Sequence, residues 1–179
     1  NSEHSAIHSF HVGKRSKVRY VERHYGEGDG RGENIMNPTT VVEMDEDSYM
    51  EMETTQIKGV DSTVRTTNAK LGDRATLIIK EKVMTHGKQL AKSDFTVDLD
   101  GEDCHTNVIS RSVAREDSKQ VFLARINGNN RCYGHSECDA IIMDHGVVAA
   151  IPEVTANCVD ASLVHEAAIG KIAGEQLTK

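Results

Sequence analysis

The feature that most constrains the fold of this 179-residue chain is a series of short runs in which apolar and polar residues alternate. Alternation with a period of two is typical of strands with one buried face, and these runs are also rich in β-branched residues. Examples are STVRTT, ATLIIKEKVM, FTVDLD, QVFLARI and AIIMD. No helical stripe long enough for a βαβ crossover lies between residues 41 and 159, which disfavours a doubly wound α/β sheet. The sequence therefore predicts an all-β body.

Polar breaks separate these runs. They include MDEDS, LGDRA, DGEDC, REDSK, NGNNR and DHGVV, and an alternating apolar run follows each of them. A break recurs about every 15 to 30 residues, which is within the range of repeat architectures. We therefore predict a stacked β-solenoid. A β-sandwich remains the alternative, because it also consists of short strands joined by regular turns.

The C-terminal segment, DASLVHEAAIGKIAGEQLTK, differs from the rest of the chain. Ser162 or Asp160 could cap a helix there. Several small or apolar residues fall at helical spacing, namely Ile169, Ile172, Ala173 and Leu177. We predict a β-helix core over residues 1–160, followed over residues 161–179 by the start of a truncated helical segment.

Composition and charge exclude several classes of function. The chain has 21 Lys and Arg against 28 Asp and Glu, a net charge of −7, which argues against sequence-independent nucleic-acid binding. No run approaches the ~20 apolar residues of a membrane span, and no signal-peptide pattern is present. We expect a cytoplasmic protein whose four cysteines are reduced thiols. Because residue 1 is asparagine and strand-like alternation begins at once, we also expect a fragment of a longer chain.

The stretch RCYGHSECDAIIMD contains the spacing Cys132-x-x-His135-x-x-Cys138. On one straight strand the two cysteines would share a face but lie about 20 Å apart, and His135 would point the opposite way. A self-contained zinc site would therefore need a turn at Tyr133-Gly134. For Cys138 two interpretations stay open at this point, a functional thiol or a small buried hydrophobic residue.

Other candidate residues are weaker. The pair His165-Glu166 could contribute to a metal site whose other ligands come from elsewhere, or it could simply lie at the start of a helix. His86 and the pair Cys104-His105 are interpreted as turn and strand-edge residues. The glycine-rich GEGDGRGEN lacks the Lys-Ser/Thr of a phosphate-binding loop and is interpreted as a loop. No Ser-His-Asp or Cys-His-Asn arrangement can be identified, because spatial adjacency is not visible in a sequence. An enzyme would be possible only with Cys138 as a reactive thiol beside a nearby base, and we do not predict one.

The stretches GHSECDAIIMD and AIPEVTANCVDASLVHEAAIGKIAGEQL closely resemble the C-terminal part of the SufB/SufD family of iron-sulfur cluster assembly proteins. The upstream GENIMNPTTVVEMDEDSYMEMETTQIKGVDS resembles the β-core of the same family. The resemblance extends from about Val12 to Leu177. It implies a right-handed parallel β-helix with C-terminal helices, agreeing with the solenoid predicted above.

The resemblance also implies roles for individual residues. Cys138 takes the position of a SufB cysteine implicated in holding sulfur or a cluster, Glu166 that of a SufB glutamate, and His165 that of a functional SufD histidine. These three are the predicted ligands of a transient iron-sulfur cluster at a dimer interface, with Cys132 and His135 as second-rank candidates. SufB commonly has Glu-His-Glu where this chain has Val164-His165-Glu166, so one carboxylate is missing.

The implied partners are a SufC-type ABC ATPase, bound through C-terminal helices largely missing from this sequence, and a second chain in a homodimer or a SufB/SufD-like heterodimer. No nucleic acid or membrane partner is expected. The main alternative is a structural SufD-like subunit that dimerises and docks the ATPase without binding metal. A thiol-dependent hydrolase or a zinc protein is a further alternative.

Overall fold

The computed structural model describes residues 2–25, 34–57 and 61–173, and every regular element within these ranges is a β-strand. In chain order the twelve strands are β1 Ser2–Val12, β2 Lys17–Tyr25, β3 Asn34–Met44, β4 Tyr49–Ile57, β5 Ser62–Leu71, β6 Thr76–Thr85, β7 Leu90–Leu99, β8 Cys104–Ala114, β9 Lys119–Gly128, β10 Cys132–Met143, β11 Val147–Ala156 and β12 Ala161–Ile172. The described residues include no helix that could cross a membrane.

The strands form two six-stranded parallel sheets. The odd-numbered strands make one sheet, in the order β1-β3-β5-β7-β9-β11, and the even-numbered strands make the other, β12-β10-β8-β6-β4-β2. Because each strand pairs with the next strand but one, the chain coils, and it adds one strand to each sheet per turn. The predicted β-solenoid is therefore confirmed and the β-sandwich is excluded, whereas the right-handed sense of the coil stays a prediction.

One turn of this coil takes 28 or 29 residues in its C-terminal half. Leu90 pairs with Lys119, and Lys119 pairs with Val147. In the other sheet Cys104 pairs with Cys132, and Cys132 pairs with Ala161. Stacking in this register places equivalent positions of successive turns directly above one another. Inward-facing side chains therefore lie next to inward-facing ones, and outward-facing side chains next to outward-facing ones.

The polar breaks predicted from the sequence lie at the corners of the coil. Six non-glycine residues there have positive φ between 55° and 59°: Arg15, Asp47, Arg74, Asp103, Glu116 and Asp144. Gly87 occupies the corresponding position of another corner, with φ 58°. Three of the six are aspartates, and aspartate tolerates this left-handed conformation better than most residues do.

Inward-facing side chains of the two sheets form the core. Burial alternates along the strands, as in β7 and β8, and the largest fully buried apolar residues include Met50, Leu71, Leu77, Leu99 and Ile126. The interior also contains polar groups, among them Glu81, which is 4% exposed. Its two carboxylate oxygens accept hydrogen bonds from the hydroxyls of Ser93 at 2.7 Å and Ser110 at 2.6 Å.

The helix predicted at the C-terminal end is wrong for the residues that the structure describes. Residues 161–172 form β12, which pairs with β10 along its whole length, from Ala161 opposite Cys132 to Ile172 opposite Met143. The backbone groups on one side of this segment pair with β10 along its whole length, and this pairing outweighs the helical spacing of Ile169 and Ile172. Residues 174–179 of the predicted helical segment lie outside the described residues.

Candidate metal and sulfur site

The predicted ligands lie on two adjacent parallel strands, β10 and β12. Ser136 is opposite His165, Glu137 is opposite Glu166, and Cys138 is opposite Ala167. Since neighbouring residues of a strand point to opposite faces, this register divides the candidates between an inner face and an outer face.

The inner face of this strand pair carries Cys138 and His165. Cys138 is 1% exposed and Ser136 is fully buried. The Ser136 hydroxyl is hydrogen-bonded to Nδ1 of His165 at 2.6 Å, so the other ring nitrogen, Nε2, is the one that a metal could bind. Cys138 and His165 are diagonal neighbours on adjacent strands, which places their Cα atoms about 8 Å apart. The structure therefore brings a thiol and an imidazole to the same face.

The electrostatic surroundings of Cys138 favour the neutral thiol. Burial raises the pKa of Cys138 to about 11, with further contributions from the carboxylates of Glu81 and Asp139. Ser110, which pairs with Cys138 across β8 and β10, is one of the two serines that donate to Glu81. A metal ion bound by Cys138 would have to displace this proton, because the thiolate is the ligand form.

The outer face of the same strand pair carries the third predicted ligand, Glu166. Its carboxylate lies 3.6 Å from Nε2 of His135, and ligand atoms of His135, Glu137 and Glu166 all lie within 4.8 Å of one another. Burial and the carboxylates of Asp139 and Glu166 raise the pKa of Glu137. Glu166 thus groups with His135, a second-rank candidate, and is separated from Cys138 by the backbone of the sheet.

The Cys-x-x-His-x-x-Cys spacing does not form a site of its own. β10 runs without a turn from Cys132 to Met143, and Cys132 and Cys138 are buried on the inner face while His135 lies on the outer face. Cys132 instead pairs with Cys104 of β8. Burial raises the pKa of Cys104 to about 12 and also raises the pKa of Cys132, so both behave as buried thiols.

Sequence reasoning missed three residues near these groups: Ser136, Glu137 and Glu81. Glu137 could have been found, because His135 and Glu137 are two residues apart on a predicted strand and so share a face. The position of Glu81 beside Cys138 depends on the stacking of β6, β8 and β10, which a single sequence does not reveal.

The burial of these cysteines has a measurable consequence for alkylation. Cys158 is partly exposed, whereas Cys104, Cys132 and Cys138 are buried. Because iodoacetamide reacts with accessible thiolates, we expect Cys158 to be modified first and the other three at least about tenfold more slowly. Intact-mass analysis of the metal-free native chain checks this order, and denatured protein, in which all four thiols react alike, is the control. Equal native rates at Cys138 and Cys158 would contradict the described burial.

The chain is similar to known proteins over nearly its whole length. The chain matches, over residues 1–178, the family model described as "SUF system FeS cluster assembly, SufBD core domain". It is 30% identical over 168 residues to an iron-sulfur cluster assembly SufBD family protein of Methanocaldococcus jannaschii, covering 93% of this chain and 52% of that protein. A family member from Archaeoglobus fulgidus is 28% identical, covering 96% of this chain and 46% of that protein.

The fold and the site define the class of protein, a parallel β-solenoid with thiol, imidazole and carboxylate groups on strands β10 and β12. The chain belongs to the SufBD family, and the family resemblance predicted from the sequence is confirmed. A third relative, from Pyrococcus horikoshii, is 27% identical over 97% of this chain and 53% of its own length. The chain thus spans about half the length of the relatives it matches.

Proposed function

We propose that this chain is a scaffold component of SUF-type iron-sulfur cluster assembly and that it holds a nascent cluster through Cys138 and His165. The observation that carries the proposal is the placement of a buried thiol and an imidazole on the same inner face of adjacent strands. Thiolate sulfur is the usual ligand of iron-sulfur clusters. An imidazole in place of one thiolate would leave the cluster easier to release, which suits a scaffold.

The proposal places the site at a dimer interface, as part of a cytoplasmic complex. In support, β11 and β12 are the edge strands of their sheets, and Ile151, Val154 and Ile169 on them are 44% to 46% exposed. Glu166 does not reach the inner face of its own chain, so Cys138 and His165 need further cluster ligands. A second chain at this end could supply them. The ATP chemistry would belong to a SufC-type ABC ATPase bound by the whole protein, so we propose no catalytic residue in this chain.

Anaerobic reconstitution tests the scaffold proposal. Wild-type chain supplied with ferrous iron and sulfide is expected to gain cluster absorbance, and Cys138→Ala is expected to retain less than about a tenth of it, because loss of a ligand should cost at least as much as loss of a supporting contact. His165→Ala is expected to lower the yield and to speed transfer to a chelator. Cys158→Ala, which removes a partly exposed thiol, is the matched control.

Two outcomes would count against the proposal. The first is a wild-type chain that gains no cluster absorbance, and the second is full retention of absorbance in Cys138→Ala. An interface-only SufD-like subunit would show the first outcome and would also tolerate His165→Ala without any change.

A further inference from the structure

We propose that His135, Glu137 and Glu166 form a binding site for a divalent first-row transition-metal ion on the outer face of the β10–β12 pair. This site is separate from the inner-face pair of Cys138 and His165. Only one part of this proposal rests on the proposed function, namely that the ion bound in the cell is ferrous iron. Metal binding itself rests on the geometry alone.

The strand register creates the site. His135 and Glu137 are two residues apart on β10 and so share its outer face, and Glu166 of β12 lies directly opposite Glu137. Adjacent strands are about 4.8 Å apart, so the three side chains start from neighbouring positions. His135 contributes a side chain that is only 16% exposed, which holds its ring in place, whereas the Glu166 side chain is 61% exposed and free to adjust.

The distances are close to those that a bound ion requires. At metal–ligand bonds of about 2.1 Å, two ligands of one ion are about 3 Å apart when adjacent and about 4.2 Å apart when opposite. His135 Nε2 and the Glu166 carboxylate are 3.6 Å apart, and all three ligand atoms lie within 4.8 Å of one another. A small rotation of the exposed Glu166 side chain would bring the set into range.

The charges around the three residues also favour a cation. Elsewhere on the surface, acidic side chains pair with arginine, as Asp47 does with Arg74 and Asp103 with Arg131. Among the described residues, neither Glu137 nor Glu166 forms an ion pair with a lysine or an arginine. Glu166 contacts His135 and shares a hydrogen bond with Glu137. Two carboxylates therefore face each other without a fixed positive charge.

A nearby basic group does not change this balance. Lys80 lies in the same row of outer-face residues as Glu137, but Ile109 stands between them. The ammonium group of Lys80 lies 3.5 Å from Glu51 instead. A divalent ion would thus supply the charge that the protein does not.

The donor set indicates the class of metal. One imidazole and two carboxylates are nitrogen and oxygen donors that suit Fe²⁺, Mn²⁺, Co²⁺ and Zn²⁺, and they are a poor match for thiol-seeking Cu⁺. Three protein ligands leave coordination positions open in an octahedral ion, so water or another exchangeable ligand can bind there. Such a site would hold iron reversibly, on the opposite side of the sheet from the cluster ligands.

Titration of the metal-free full chain with Mn²⁺ tests the site under anaerobic conditions and without sulfide. Loss of the electron paramagnetic resonance signal of free Mn²⁺ is expected to show one saturable ion per chain. His135→Ala and Glu137→Gln are each expected to weaken binding at least about tenfold. Glu51→Gln, a change on the outer face of the same sheet, is the matched control and is expected to leave binding unchanged. Far-ultraviolet circular dichroism confirms that each variant is folded.

A second titration separates this site from the scaffold site. Co²⁺ bound by His135, Glu137 and Glu166 is expected to give weak d–d absorption without a thiolate charge-transfer band, and Cys138→Ser is expected to bind Co²⁺ as wild type does. Absence of saturable Mn²⁺ binding, binding unaffected by both His135→Ala and Glu137→Gln, or loss of Mn²⁺ binding in Cys138→Ser would overturn the proposal. Cluster formation in wild type would then still support the scaffold function, and Mn²⁺ binding in a chain that gains no cluster would support the outer site alone.

Discussion

Replacement of Gly101 by alanine is expected to lower the free energy of unfolding by at least about 3 kcal/mol. Gly101 lies at the corner between β7 and β8, where its amide donates to the carbonyl of Leu71 in the preceding turn. A Cβ atom at this position would lie 2.0 Å from the backbone carbonyl carbon of Gly72 and 2.2 Å from the backbone nitrogen of Asp73. Both contacts are with backbone, so no side chain can rotate away and two turns of the coil would have to separate.

Urea denaturation followed by circular dichroism measures this effect. The matched control is Gly170→Ala in β12, because a Cβ atom there meets nothing within 4 Å. We expect Gly170→Ala to change the free energy of unfolding by less than about 0.5 kcal/mol. If Gly101→Ala were as stable as this control, the close stacking of the corners at Gly72 and Gly101 would be wrong.

Glu81 is expected to make stability depend on pH in a direction opposite to that of most carboxylates. Burial raises its pKa above the ordinary value of 4.5, although the hydrogen bonds from Ser110 and Ser93 and the charge of Arg65 act in the other direction. Above pH 4.5 the unfolded chain releases this proton while the folded chain still holds it. The contribution of Glu81 to stability is therefore fully present below pH 4.5 and is lost as pH rises through the folded-state pKa.

Variants of Glu81 isolate this contribution. Glu81→Gln cannot ionise at this position. Between pH 4.5 and neutral pH, the unfolding free energy of wild type is therefore expected to fall relative to that of Glu81→Gln. Glu81→Ala is expected to cost about 2 to 4 kcal/mol, since it leaves a cavity and two buried serine hydroxyls without their acceptor. Urea denaturation at both pH values provides the measurement.

The control for this pair is Glu53→Gln, which removes an outer-face carboxylate that pairs with Arg19 at the surface. Surface ion pairs contribute little to stability, so its pH profile should follow that of wild type. A wild-type profile parallel to that of Glu81→Gln over the whole range would show that Glu81 titrates normally and that its burial has no electrostatic cost.

Much of the fold could be predicted because alternation and corner motifs are local properties of the sequence. The period of two placed the strands, and acidic residues such as Asp47 and Asp103 marked the corners, where they adopt positive φ. Parity also predicted correctly that Cys132 and Cys138 share one face of a strand and that His135 lies on the other. Which strands pair, and in which register, could not be derived, because pairing partners lie 27 to 32 residues apart and local patterns do not encode them.

Glu166 was grouped with Cys138 and His165 through the family resemblance, which does not show on which face of an element each residue lies. Adjacent residues on a helix are separated by about 100° and can serve one site, whereas adjacent residues on a strand point in opposite directions. The interpretation of this segment as the start of a helix was compatible with placing His165 and Glu166 in one cluster. In β12 they lie on opposite faces, and the alternation of Leu163, His165, Ala167 and Ile169 on the inner face was the signal for a strand.

The nearly constant length of the C-terminal turns, 28 or 29 residues, has a consequence for how such a chain can change in evolution. Removal of the segment between two vertically stacked residues, such as Leu90 and Lys119, would take out one whole layer and leave every remaining side chain on its original face. Loss of a single residue from a strand would instead exchange the inner and outer faces for the rest of that strand. The height of the solenoid is therefore free to vary by whole layers between homologues, while the strand pair that carries Cys138 and His165 keeps its geometry.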